Sequence, residues 1–409
     1  MTKKKKKTIS KKTARIVSIL LIILIILIFN LCHMIIQKLN KNLPAQGEVI
    51  SDANTITPEQ EEEEKPKDTT VSICVVGDIM CHNTQYYDAY DSSTGTYDFS
   101  YVFSNIADKL SSADLTIGNL ETTFAGADRG YTSYPTFNTP DALAEDLAEL
   151  GFDVLSTANN HSLDKGYSGL VRTLEVLDEN GISHMGTYSS EEEQGEILVK
   201  DVNGIKIAFL SYTYGTNGIP VPSGKEYCVN LIDKDKIKED LEKAKALEVD
   251  LISVNMHWGT EYTLKPISEQ EKLADFLFEN GADIILGSHP HVIEPMETRT
   301  ITLEDGTTKE GFLIYSLGNF VSGQVKHYTN HSIILNLEIT KHAEGNITID
   351  SIDYTPTYVY TKSTSPEGKF KILDIKEEIE AYENGESNIG KTLYDKLVDA
   401  LEVTEDVMN

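Results

Sequence analysis

Short apolar runs without helical period punctuate the chain from residue 71 onward, at 71–78, 153–161, 250–257 and 283–291. Runs of this length and character read as buried strands. Amphipathic stretches lie between them, at 139–150, 167–180, 233–247 and 268–280, and Gly151, Gly181 and Gly281 follow three of these. Glycine just past a helix is the usual stop, and helix, glycine, then strand repeated three times implies βαβ units. Further on, 197–202 and 205–212 flank Asn203-Gly204, the signature of a hairpin. Segments 311–321, 332–340 and 347–354 read as additional antiparallel strands, so the pattern predicts a mixed α/β domain with two sheets. The polar tail, 361–409, carries helical patterns near 372–382 and 391–401.

The first 69 residues follow other rules. Residues 1–15 hold eight basic side chains and no acid, and 16–36 is apolar apart from Ser18, Asn30 and the Cys32-His33 pair. At about 1.5 Å per residue this stretch covers the ~30 Å of a bilayer core. No small-x-small cleavage site follows it. The expectation is an uncleaved transmembrane anchor with its basic end cytoplasmic and the remainder extracytoplasmic, giving a single-pass protein of the cell membrane. Residues 37–69, with Glu61 to Glu64 and almost no large apolar side chain, read as a disordered acidic linker. The globular domain is expected over 70–360.

Charge sharpens this division. All 65 acidic residues lie at or after Glu48, against 28 basic residues beyond position 15, a surplus of 37 negative charges. Such a domain is unsuited to nucleic acid or to anionic lipid surfaces. Bound cations would reverse the sign locally. Four cysteines (Cys32, Cys74, Cys81, Cys228) do not make a patterned disulfide framework or a zinc-finger spacing.

The chemistry gathers where the strands end, and in open α/β sheets that edge is where ligands bind. Gly77-Asp78 with His82 offers a hard oxygen and an imidazole suited to Zn, Mn or Fe; the plain alternative is a turn aspartate beside a surface histidine. Asn119 and Glu121 follow another strand, Glu121 as a bridging carboxylate or merely a cap. Asn160-His161 with Asp164 pairs a carboxamide ligand with an imidazole able to donate a proton, Asp164 fixing its tautomer. The rival is a polar turn opening a helix. His257-Trp258-Gly259-Thr-Glu261 puts a ligand beside the single tryptophan, whose ordinary role is packing. His289-Pro290-His291 gives two imidazoles that face separate ions or grip one. Asn319, in Gly318-Asn319-Phe320, is a rim residue or a simple turn. Metal ligands are thus expected at Asp78, His82, Glu121, Asn160, His257, His289 and His291. The catalytic pair is His161 and Asp164, and Asn119, Trp258, Glu261 and Asn319 face substrate.

These motifs, in order and spacing across roughly residues 70–325, resemble the capsule-synthesis CapA family of poly-γ-glutamate biosynthesis. The resemblance implies the four-layer α/β sandwich of calcineurin-like metallophosphoesterases: two mixed β-sheets flanked by helices. It also implies divalent ions, two in number, held by Asp78 and His291 on one side and by Asn160, His257 and His289 on the other, with His161 as the acid. The chain departs from the wider superfamily in two places: His82 stands four residues after Asp78 rather than two, and Asn119 replaces the bridging aspartate, with Glu121 the nearest acid.

The leading expectation is therefore an extracytoplasmic metal-binding component of poly-γ-glutamate capsule synthesis or export. Its partners would be the anionic polymer and other membrane subunits of a capsule complex. A cell-surface phosphoesterase and a non-enzymatic polymer-binding scaffold are the alternatives.

Overall fold

The computed structural model describes residues 67–302, 306–361 and 369–409. The basic segment 1–15, the expected anchor 16–36 and the expected linker up to residue 66 lie outside the described residues. Among the described residues, no helix is long and apolar enough to cross a membrane.

Two mixed sheets face each other. The first is built from β1 (Thr69–Ile79), β4 (Leu115–Leu120), β5 (Val154–Ser156), β6 (Ser183–Met185), β13 (His331–Lys341), β14 (Ile347–Tyr360) and β15 (Lys371–Asp374). Its order is β15-β14-β13-β1-β4-β5-β6, with β1, β4, β5 and β6 mutually parallel. The second comprises β7 (Leu198–Val202), β8 (Ile205–Thr213), β9 (Leu251–His257), β10 (Ile284–Ser288), β11 (Ile293–Thr302) and β12 (Thr308–Leu317), in the order β11-β12-β10-β9-β8-β7. Here β8, β9, β10 and β12 are parallel. A two-stranded ribbon, β2 (Tyr90–Asp91) with β3 (Thr96–Tyr97), stands apart.

Strand alternation explains the layers. On β1, Val71, Ile73 and Val75 enter the core between the sheets, whereas Cys74 and Val76 face the outer helices. On β8, Ile207 and Phe209 point inward and Leu210 and Tyr212 outward. The outer face of the first sheet is covered by α4 (Ala142–Glu149), through Leu143 and Leu147, and by α5 (Gly166–Glu179), through Val176 and Leu177. The outer face of the second is covered by α7 (Lys234–Ala246) and α8 (Ser268–Glu279), through Ile237, Leu241, Leu273 and Leu277. Helix, sheet, sheet, helix is the layering that the family resemblance implies. The Asn203-Gly204 hairpin forms between β7 and β8, with φ of 52° and 91° at the two turn residues.

Two features differ from the pattern reading. Strand β11 has mixed polarity (Glu297, Thr298, Arg299, Thr300) and so gave no apolar run. The tail begins with a strand, β15, before α9 (Ile375–Glu383) and α10 (Lys391–Met408). It packs on the domain: Leu373, Ile375, Leu393, Leu397 and Ala400 share a core with Tyr358 and Tyr360, and Met408 reaches the core between the sheets.

Candidate metal centre

Parallel registry brings the strand ends to one edge. Asp78 pairs with Asn119, Asn119 with Ser156, and Ser288 with His257. The backbone N–H of Asp78 donates to Gly318 O at 2.9 Å, which joins β1 to the loop leaving β12. That approach needs bare backbone. A Cβ at Gly77 would lie 1.9 Å from Gly318 O, and one at Gly287 only 1.8 Å from Tyr315 O.

Around this edge Asp78, Glu121, Asn160, His161, His257, His289 and His291 converge, all buried. Glu121 is the centre. Its Oε1 lies 3.9 Å from His161 Nε2, 3.8 Å from His257 Nε2 and 3.8 Å from His291 Nε2. Neither of its carboxylate oxygens has a hydrogen-bond partner. Asp78 Oδ1 accepts from Asn119 Nδ2 at 2.7 Å, while Oδ2 lies 3.3 Å from both the His289 backbone N and His291 Nδ1. Asn160 Oδ1 and His257 Nε2 are 2.9 Å apart. Ligand atoms about 2.1 Å from one ion lie within ~4.2 Å of each other, so all these separations suit shared cations.

A buried carboxylate without a partner costs several kcal/mol unless a cation offsets it. Burial, and after it the charges of Asp78, Glu261 and Asp164, push the Glu121 carboxyl well above its ordinary range. His289 Nδ1 and Asn119 Oδ1 are also buried and unpartnered. Burial, then neighbouring imidazoles, holds His257 well below the usual histidine value and takes His289 down to about 4. Neutral imidazoles beside acids with no lysine or arginine among them are the donor set of a divalent metal site. Two clusters can hold an ion: Asp78, Glu121 and His291, and Glu261, His289 and His291.

The supporting residues fix orientation. His161 Nδ1 faces Asp164 Oδ2 at 2.8 Å, and Ser288 Oγ lies 3.0 Å from His257 Nδ1. Asn319 Oδ1 sits 3.0 Å from His291 Nδ1 while its Nδ2 donates to Gln324 Oε1 and Thr329 O. His289 and His291 flank Pro290 at φ of 98° and 60°. Tyr262 N donates to Pro290 O at 2.8 Å, fastening that turn.

Beside the ligands opens a cavity of about 650 Å³, onto which Asn160, His161, His291 and Glu261 face. Of the four positions expected to face substrate, only Glu261 lines it. Asn119 and Asn319 are buried behind Asp78 and His291, which the Asn119 Nδ2 and the Asn319 Oδ1 orient. Trp258 is buried too. It donates its indole N–H to Tyr315 O at 2.9 Å and packs in the core under the second sheet. His82 reaches the cavity, but it caps α1 (Asn83–Ala89), accepts the Gly323 N–H at 3.2 Å on Nδ1, and belongs to neither acidic cluster. Burial holds it down to about 4.

Two residues escaped the sequence reading. Asn217 Oδ1 accepts from Asn160 Nδ2 at 3.2 Å, with its own Nδ2 3.4 Å from His161 Nε2. The Tyr214 ring lies 4.5 Å from that of His289 and parallel to that of His257. Tyr214 directly follows the end of β8, where the strand-end rule finds it, whereas Asn217 lies further along the loop.

The sequence profile described as bacterial capsule synthesis protein PGA_cap matches residues 72–324. The chain is 29% identical over 305 residues to the capsule biosynthesis protein CapA of Bacillus anthracis, covering 72% of this chain and 69% of that one. It is 29% identical over 299 residues to the PGA biosynthesis protein CapA of Bacillus subtilis, covering 70% and 72%. Among solved structures it is similar to the calcineurin-like phosphoesterase YfkN of Bacillus subtilis, at 16% identity and a TM-score of 0.39, over 71% of this chain and 90% of that one. The profile takes in every strand end that converges on Glu121, and by that match the chain belongs to the bacterial capsule synthesis protein PGA_cap family.

Proposed function

We propose that the chain is a membrane-tethered, extracytoplasmic hydrolase of poly-γ-glutamate capsule assembly, acting on the nascent anionic polymer or its terminal linkage beside other membrane subunits. Family membership and the names of the two Bacillus relatives support the polymer. The apolar stretch 16–36, between a basic end and an acidic linker, supports the tether. The observation that carries the chemistry is the Glu121 carboxylate, buried and unpartnered among three imidazole nitrogens.

In this reading Asp78, Glu121 and His291 hold one divalent ion and Asn160, His257 and His289 a second, of the Mn, Fe or Zn type. Such ions supply Lewis acidity toward a carbonyl or phosphoryl oxygen. The residues do the rest. Asp164 accepts the His161 Nδ1–H, which leaves Nε2 to carry the exchangeable proton toward the cavity. The doubly protonated His161 gives its Nε2 proton to the leaving atom as the bond to that atom breaks. Water adds to the scissile centre, and the proton that the water loses restores the ring. Asn217 Nδ2 lies 3.4 Å from His161 Nε2 and can donate to it once its proton has gone.

The same equipment fits a cell-surface phosphoesterase, because the His161–Asp164 pair protonates a leaving oxygen whatever the linkage. The test is elemental analysis of the full-length chain and of a His289→Ala/His291→Ala double variant, followed by assays on γ-glutamyl chains and on an aryl phosphodiester. Metal in the parent only, with cleavage of γ-glutamyl chains that His161→Ala abolishes, is the expected result. Equal metal in both chains overturns the site, and turnover of the phosphodiester alone selects the second reading.

A further inference from the structure

The cavity beside the ligands does not end at the site. It is walled by Val325 and Lys326, and the same two residues wall a second cavity of about 600 Å³ on their far side. That second cavity runs between the segment around His327 and the C-terminal helix α10, which contributes Lys396, Asp399 and Glu402. Val325, 90% exposed, stands on the ridge that the two cavities share.

Charge along this path is unlike the rest of the molecule. The chain carries a formal net charge of −29. Along the two cavities together Lys326 and Lys396 stand against Glu261, Asp399 and Glu402, which leaves the path close to neutral. A polyanion is repelled least where fixed charges nearly cancel, and ions bound at the metal centre would add attraction at one end. Lys326 is also held in place. Its Nζ lies 3.7 Å from the centre of the Tyr262 ring, and that ring lies 5.9 Å from the His291 ring. The ammonium is therefore within about 10 Å of a metal ligand. Among the described residues it forms no ion pair with a carboxylate, in contrast to Lys236, Lys309 and Lys341.

The geometry points to a continuous groove for an extended anionic chain: one end enters the metal centre, a carboxylate meets Lys326 on the ridge, and the chain continues over α10 past Lys396. This rests on the polymer reading above and gives the C-terminal tail a role in it. A small phosphoester needs only the first cavity, whereas a polymer needs both.

The test is calorimetric binding of γ-linked glutamate chains to the full-length protein loaded with Mn²⁺, using short (about four-residue) and long (about twenty-residue) chains, since added contacts raise affinity only for a ligand that spans them. Lys326→Gln should weaken both lengths about tenfold, and Lys396→Gln should weaken the long chain about threefold while leaving the short one unchanged. Metal content of both variants should equal the parent's, which separates loss of a contact from loss of fold. Equal affinity for both lengths, or a Lys396→Gln variant that binds long chains like the parent, overturns the groove. Polyphosphate of similar length distinguishes the two claims. If it binds with the same variant pattern and glutamate chains do not, the groove stands and the poly-γ-glutamate reading fails. If neither polyanion binds, the groove fails while the metal and hydrolysis assays still judge the site.

Discussion

His161 Nδ1 and Asp164 Oδ2 lie 2.8 Å apart, and the same carboxylate oxygen accepts the Phe137 backbone N–H at 2.6 Å. One oxygen thus ties the imidazole to the loop that borders the cavity. His161→Ala should lower turnover by about 10²–10⁴-fold with metal content unchanged, the usual worth of a positioned acid. Asp164→Asn should cost about 10–100-fold and shift the pH profile, because it disturbs the tautomer and not the ring. Steady-state kinetics across pH checks both. Unaltered rates in the two variants would remove His161 from the reaction.

Glu121 makes metal uptake a proton-coupled event. Its carboxyl is raised by burial, so the metal-free fold binds a proton there that the unfolded chain, titrating near 4.5, has already released. The metal-free fold therefore loses stability as pH rises from the unfolded value through the folded one. Glu121→Gln should raise the thermal midpoint of the metal-free chain at pH 7–8 and lower Mn²⁺ affinity about 100-fold or more. Thermal scans with and without a chelator check this; a variant that melts earlier than the parent in chelator contradicts it.

The buried histidines act with the opposite sign. Burial takes His82, His289 and His331 to about 4, and the unfolded chain protonates its histidines near 6.5. Their contribution is fully present above pH 6.5 and is lost as pH falls toward 4. Between pH 7 and pH 5 the histidine share of the metal-free chain's stability should accordingly fall, against the opposite slope set by Glu121. His331→Gln, away from the metal cluster, should flatten part of that fall in calorimetric scans.

Trp258 offers a clean contrast between packing and substrate contact. Trp258→Phe leaves Tyr315 O without its donor in the core and should cost about 1–3 kcal/mol of stability. Affinity for polymer should stay within twofold, roughly the noise of additive contacts. A large rise in KM with unchanged stability would restore the tryptophan to the binding surface.

Gly287→Ala places a methyl group 1.8 Å from Tyr315 O, a backbone atom that cannot swing aside. The strand must shift, and His289 and His291 shift with it. Loss of about 3 kcal/mol or more, with reduced metal content, is the expected outcome in denaturation and elemental analysis.

What the sequence made legible follows from where its signals are strong. Asp78, Glu121, Asn160, His257, His289 and His291 each end or follow an apolar strand, and parallel pairing converts that position into convergence. Trp258 sits beside His257 in sequence but turns to the opposite side, into the core under the second sheet. Asn217 and Lys326 lie in loops that are not anchored by a strand end within two residues, so only the folded chain shows them meeting His161 and Tyr262. Strand β11 was invisible because its pairing with β12 is antiparallel and half solvated, which removes the apolar run.

The turn carrying His289 and His291 holds both residues at φ values that side chains seldom adopt, each at a cost of about 1–3 kcal/mol. Asp78 and Tyr262 clamp it through hydrogen bonds that involve no ion. The imidazoles are thus aimed before any cation arrives, and departure of one gives the backbone nowhere easier to go. Ion exchange at this centre should proceed without refolding, leaving occupancy to follow whichever divalent ion the surroundings supply.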